Sequence, residues 1–190
     1  MRLYTITVIV ELHRIKNYKE ETLYLACSLT DRYLARLTAL NKPSPCLIRL
    51  AFVCTLMAAK LEEPMQPSFN RMVRLVAKEW NFTTTRQELI ELESEVIREL
   101  DWDLVRPGPL FFLERFQRVF FLDQERSDVA AACVGSVARR LMRCMLLRSC
   151  SLRFKPSQIA ATSLLLSIGI VKSPCAVHMG VQQLPETLVE

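Results

Sequence analysis

Catalysis needs ionisable groups brought together, and this 190-residue chain offers few whose spacing would make them converge. It has 2 histidines. His13 has no second metal ligand one helical turn away, and His178 lies in an irregular stretch, so they read as a core or rim residue and a tail residue. Glu62-Glu63 and Glu91-x-Glu93-x-Glu95 cluster carboxylates without the partner that general acid–base work requires, and they read as solvated helix faces. No Gly-x-Ser-x-Gly elbow, Walker loop, His-Glu-x-x-His helix or Cys-x-x-Cys pair occurs. With only 4 Gly, phosphate-cradling loops are hard to build. The chain reads as a non-enzyme, and no cofactor or metal is implied.

Two charges are nevertheless in unusual places. Lys60 ends the most apolar helix in the chain, and Glu93 sits at the edge of another helix's apolar stripe, three residues before Val96. Burying an unpaired ion costs several kcal/mol, so each needs a reason. Either each one marks a helix margin and snorkels to water, or the two form one Lys–Glu pair at the rim of a groove. Such a pair could offer charge-assisted hydrogen bonds to the backbone of a docking helix. Periodicity alone does not choose between them.

The elements that would position these residues are helical almost throughout. Residues 3–16 carry Ile6, Ile9, Val10 and His13 along one side, and residues 20–37 are apolar around most of their circumference. Leu50 to Ala59 contains no charge, which predicts the central helix of a five-helix unit. Pro67-Ser68 opens a helix striped with Phe69, Met72, Val73, Val76 and Trp80. Thr85-Arg86-Gln87-Glu88 is a capping box, followed by a stripe at Leu89, Leu92, Val96 and Leu100. Arg106-Pro107-Gly108-Pro109 breaks the pattern and predicts a linker. Helices then resume over 110–121, 128–147 and 157–170, so that starts near 3, 20 and 46 recur near 109, 128 and 157. This is a repeat of architecture with slight identity, and the second copy reads as incomplete. The expected organisation is all-α: a unit over residues 1–105, a partial one over 106–172 and an irregular tail over 173–190.

Half of the chain (51%) is apolar and a quarter (24%) charged, which places it among globular proteins. Its net charge of +5 is unevenly placed: residues 1–105 balance 14 basic against 14 acidic residues, while residues 106–190 hold 11 against 6. Arg139, Arg140, Arg143, Arg148, Arg153 and Lys155 share one acid-free stretch. That stretch reads as a solvated helix face, with an acidic protein face or nucleic acid as other possible partners. The 7 cysteines sit mostly in apolar runs, the pattern of buried thiols in a reducing compartment, so the nucleus or cytoplasm is the expected location. The uncharged run from Pro156 to Val171 is shorter than the roughly 20 residues a membrane span wants, and it predicts a buried helix.

Several motifs in order resemble the cyclin box. They are Met1-Arg2, Val10-Glu11-Leu12-His13-Arg14, Glu21 to Ala26, Asp31-Arg32-Tyr33-Leu34, Met57-Ala58-Ala59-Lys60-Leu61-Glu62-Glu63, and Glu93 with Val96-Ile97 and Leu100-Asp101-Trp102-Asp103-Leu104. The likeness is to the A/B mitotic type. It continues more weakly through Pro109–Phe116 and Lys155–Ala161, the latter similar to the third helix of the family's second fold. The resemblance implies tandem five-helix folds, the first binding a cyclin-dependent protein kinase in cell-cycle control. By that likeness Lys60 and Glu93 contact the kinase near its αC helix, Met57, Leu61, Ile97 and Leu104 receive that helix, and Glu63 belongs to the same set. Arg2 and Asp31 match an internal pair that pins the first helix to the second.

The family's substrate-docking patch falls on Met1, Tyr4, Thr5 and Val8, with Glu11 nearby. Thr7 and Val8 stand where the family carries Asp-Trp, so substrates or inhibitors are expected to engage this patch weakly. The 157–170 helix is expected to be short of partners, which predicts lower stability or shelter by a bound protein. A nucleic-acid-binding module resembling the core of general transcription factor IIB, binding through its basic second half, is the alternative from another class, although nucleic acid fits the first-half motifs poorly. A truncated, non-activating cyclin is a further one.

Overall fold

The computed structural model of the chain describes residues 2–65, 67–122 and 128–172. Among them all regular structure is helical, as the spacing predicts, and the chain divides into two compact units, Met1–Arg106 and Pro107–Glu190.

The first unit contains α1 (Arg2–Lys16), α2 (Glu20–Ala39), α3 (Leu47–Glu62), α4 (Phe69–Trp80) and α5 (Arg86–Glu99). Helix α3 is its axis, because every residue from Leu50 to Ala59 is buried and α1, α2 and α5 all pack against it. Ala51, Ala58 and Ala59 let those neighbours approach closely, while Phe52 and Leu56 fill the volume between them. The one hydroxyl in this stretch, Thr55, donates to the Ala51 carbonyl at 2.7 Å, so no polar group there is left unmatched. Phe52 meets Trp80 edge-to-face at 5.3 Å, which fastens the end of α4 to α3.

Short polar residues shape the corners. Asn17, Asn41 and Asn81 take left-handed backbone (φ near 50°) at the ends of α1, α2 and α4, the conformation that Asn tolerates best after Gly. The capping box at the head of α5 forms as predicted: the Glu88 amide donates to Thr85 Oγ1 (3.2 Å) and the Thr85 amide donates to Glu88 Oε2 (2.8 Å). Arg49 of α3 adds a bond to Glu88 Oε1 at 2.7 Å. The Thr85 amide, then the Thr84 and Thr85 hydroxyls, then Arg49 together hold the Glu88 carboxyl below its ordinary pKa.

The second unit contains α6 (Pro109–Leu122), α7 (Asp128–Leu146), a 3-10 turn at Ser149–Arg153 and α8 (Pro156–Lys172), and the three α-helices pack on one another. The 3-10 turn was not legible in the apolar periodicity. Leu110, Leu113, Val134, Ala138, Met142, Ala160 and Leu164 form its core. Gly135 is where α7 comes against Gln117 of α6: a Cβ there would lie 2.5 Å from the Gln117 amide nitrogen. Helix α8 is buried along one side only, less than the buried helix that its uncharged run predicts and in keeping with a helix short of partners. Ala160, Leu164, Ser167 and Val171 face inward, but Leu165, Leu166 and Ile170 are exposed. No helix among the described residues is long and apolar enough to cross a membrane.

Candidate functional site

Packing α5 against α3 brings the two misplaced charges together. Leu89, Leu92 and Val96 of α5 are buried in the core. Glu93, next to Leu92, therefore emerges at the border of that contact, just where α3 passes from its buried stretch to Lys60. Lys60 Nζ donates to both oxygens of Glu93, at 2.6 and 2.8 Å. The ammonium also lies 4.5 Å from the centre of the Phe69 ring on α4, a cation–π contact. Side-chain exposures of 29% for Lys60 and 15% for Glu93 put the pair at a rim, neither solvated like a surface bridge nor sealed in.

The apolar residues implied for the site are unevenly placed. Leu61 is exposed, and Ile97, one turn beyond Glu93, and Leu104 are partly exposed, so these three present apolar surface near the rim's two helices. Met57 is only 3% exposed and belongs to the core, so, contrary to the expectation, it presents no surface to a partner helix. Glu63 is occupied elsewhere: its Oε1 accepts from the Lys19 amide (2.8 Å) and from Thr22 Oγ1 (2.6 Å) at the start of α2. There a carboxylate satisfies a helix's first donors and faces its positive end, and the Lys19 ammonium returns a bond to the Glu62 carbonyl at 3.2 Å. Glu63 thus ties the end of α3 to the head of α2. Burial, followed by the Glu63 charge, raises the pKa of the neighbouring Tyr18 phenol.

Arg2 and Asp31 meet as the resemblance implied. Arg2 Nε donates to Asp31 Oδ1 at 2.7 Å and Nη2 to Oδ2 at 2.9 Å, a two-pronged contact joining α1 to α2. The docking-patch residues do not make a single surface. Thr5 and Val8 face the interior, Tyr4 is exposed, Glu11 is half-buried and paired with Arg14, and Met1 lies outside the described residues.

Three features of the site were not read from the sequence. Phe69 was assigned to a core stripe, yet its ring also lies under Lys60. Arg32 of α2 donates to the Asp103 and Leu104 carbonyls and pairs with the Asp103 carboxylate, holding the segment after α5. That segment places Asp101 and Trp102 in left-handed backbone (φ 52° and 61°), with Trp102 75% exposed. A bulky aromatic in that conformation costs about 1–3 kcal/mol. Bonds from the Trp102 amide to the Ile97 carbonyl (3.1 Å) and from the Leu104 amide to the Trp102 carbonyl (2.9 Å) help to hold it there. The signal available was a Trp inside an Asp-Trp-Asp run, where a core role is improbable. Among the described residues no group of three or more His, Cys, Asp or Glu could hold a metal ion.

Residues 1–105 match the family model of the cyclin N-terminal domain, and residues 107–188 match that of the cyclin C-terminal domain. The chain belongs to the cyclin family. It is of the A/B type, being 34% identical to Cyclin-A1-2 of Arabidopsis thaliana over 88% of this chain and 36% of that protein. It is also 29% identical to the G2/mitotic-specific cyclin-B2 of Gallus gallus, over 88% of this chain and 38% of that protein. The chain therefore spans little more than a third of the length of these relatives. The crystal structure of a viral cyclin from herpesvirus saimiri superposes with a TM-score of 0.72 at 19% identity, over 96% of this chain and 77% of that one, so the fold is the cyclin fold. Cyclins are regulatory and perform no chemistry themselves, and neither matched domain is a catalytic one.

Proposed function

We propose that this cyclin binds a cyclin-dependent protein kinase through the Lys60–Glu93 rim and holds the kinase in its active arrangement. The observation that carries the reading is the ion pair itself. It joins α3 to α5, is partly open, and has the apolar side chains of Leu61, Ile97 and Leu104 on the same two helices and the segment that follows. An ammonium already bonded twice to a carboxylate keeps a third donor, and the carboxylate keeps lone pairs, so both can serve partner backbone groups at a helix end. Leu61, Ile97 and Leu104 supply the area that an amphipathic partner helix covers.

Binding that favours an inward αC helix lets its glutamate pair with the lysine that positions the ATP phosphates. The cyclin then acts by preferring one of two kinase states, and the shift it achieves equals its difference in affinity for them. Both relatives named above carry cyclin names, one of them mitotic, which supports a cell-cycle role. Action in the nucleus or cytoplasm rests on the described cysteines being free thiols; contrary to the expected burial, only Cys27 and Cys54 are buried, while Cys46, Cys144 and Cys150 are exposed.

Affinity purification with mass spectrometry tests the reading, comparing wild type with Lys60→Glu and Glu93→Ala. A cyclin-dependent kinase should accompany the wild-type chain and be lost from both variants. Recovery of no such kinase, or its undiminished recovery with folded variants, would overturn the proposal. A phosphotransfer assay on the recovered complex separates binding from activation.

A further inference from the structure

The second unit carries a surface of a different kind. From Val129 to Lys172 there is no Asp or Glu, and within that span the 3-10 turn Ser149–Arg153 and its flanks expose Arg148, Arg153 and Lys155. The turn has a fixed shape. Ser151, itself buried, donates its hydroxyl (2.7 Å) and its amide (3.1 Å) to the Arg148 carbonyl. The Phe154 amide then closes onto the Ser151 carbonyl at 3.2 Å. Gln158 in the first turn of α8 reaches back to accept from the Lys155 amide at 2.9 Å. The eight residues from Arg148 to Lys155 are thus held from both ends, with Arg140 of α7 also exposed.

Apolar side chains are interleaved with these cations. Leu147, Leu152 and Phe154 are exposed, the last two between 50% and 60%. Solvated charge alone does not call for an open leucine and a phenyl ring within this short turn, with a further open leucine just before it. A nucleic-acid strand could stack a base on Phe154 but would leave Leu147 and Leu152 without matching partners. A protein segment alternating acidic and apolar residues satisfies both halves, with carboxylates on the guanidinium and ammonium groups and apolar side chains over Leu152 and Phe154.

We propose that the Arg148–Lys155 turn is a docking surface for an acidic, apolar-bearing peptide segment of a partner protein. It lies in the second unit and stands independently of kinase binding by the first.

Fluorescence anisotropy on the full chain tests this with a fluorescein-labelled peptide of about 12 residues alternating aspartate and leucine. The controls are the same peptide with asparagine for aspartate, and a labelled oligothymidylate. Saturable binding is expected for the aspartate peptide, weakening steeply with salt, with much weaker binding of the asparagine peptide. Reversing three charges together (Arg148→Glu, Arg153→Glu, Lys155→Glu) should raise the dissociation constant by about tenfold or more. The Leu152→Ser/Phe154→Ser chain should raise it severalfold with its charge unchanged. Absence of saturable binding, equal binding of the asparagine peptide, tighter binding of oligothymidylate, or full affinity in the folded charge-reversed chain would each overturn the proposal. Should a variant lose its helical circular dichroism, the aspartate-to-asparagine ratio on the wild-type chain decides alone.

Discussion

Helix α3 of the first unit and helix α8 of the second are both free of charge over most of their length, yet their surroundings differ. Leu50 to Ala59 of α3 are all buried, with α1, α2 and α5 packed against them. Helix α8 packs on α6 and α7, and it buries Ala160, Leu164, Ser167 and Val171 while Leu165, Leu166 and Ile170 stay exposed. Apolar composition therefore identifies a helix that gains by being covered, and it does not say how many neighbours cover it. The functional features divide in the same way. The ion-pair rim of the first unit lies at the end of its enclosed helix, whereas the second unit offers an exposed turn of cations and apolar side chains.

The largest expected effect lies in the enclosed helix. Phe52→Ala should cost about 3–5 kcal/mol, because the ring is fully buried and its edge-to-face contact with Trp80 goes with it. Urea denaturation followed by the tryptophan signal measures this, and a loss of under about 1 kcal/mol would mean that α3 is not the packing axis.

A pair of substitutions in α8 sharpens the contrast. Leu164→Ala should cost about 2–3 kcal/mol, whereas Leu165→Ala, one residue away and 69% exposed, should stay within about 0.5 kcal/mol. Equal losses would show that the outward side of α8 is covered in solution.

Thiol chemistry reads the same difference without changing a core residue. Cys46, Cys144 and Cys150 are exposed and should label quickly with iodoacetamide in the native state, while Cys27 and Cys54 should label only on unfolding. Burial pushes the Cys54 thiol up to about 12 and raises Cys27 as well, from an ordinary value of 9.0. The folded form thus keeps these thiols neutral. Their contribution to stability is complete below pH 9 and is lost progressively as pH rises above it, because the unfolded chain ionises first. Melting temperatures recorded upward from neutral pH should fall in the wild type and fall less in Cys54→Ala.

Much of this was legible in the sequence where the cause is local. Helix starts follow from proline and capping residues, the Thr85–Glu88 box forms as written, and the charge-free run of α3 marks the axis. Pairing across helices was legible in part: the misplaced charges offered a Lys60–Glu93 pair as one of two readings, and the family likeness implied the Arg2–Asp31 pair. Periodicity placed Lys60 and Glu93 at helix margins without joining them, and nothing local linked Arg2 to Asp31. Distant partners explain the rest. Glu63 was assigned outward toward a kinase, yet the head of α2, more than forty residues earlier, supplies two donors to it. Thr5 and Val8 were assigned to a surface, and the angle at which α1 packs on α3 turns them inward. Phe69 beneath Lys60 and Arg32 on the carbonyls after α5 depend likewise on how separate helices meet.

The most direct test of the central claim is the affinity of the full chain for the purified cyclin-dependent kinase that accompanies it, measured by calorimetry for wild type, Lys60→Glu, Glu93→Lys and the charge-swapped double variant, with melting temperatures alongside. Each single variant is expected to weaken binding by at least about tenfold and also to lower the melting temperature, because it sets like charges together at a partly buried site. The swap should restore the internal pair and its stability without restoring affinity, because the kinase then meets each charge in the wrong place. Unchanged affinity in the single variants, or affinity that follows melting temperature and returns in the swap, would contradict the account.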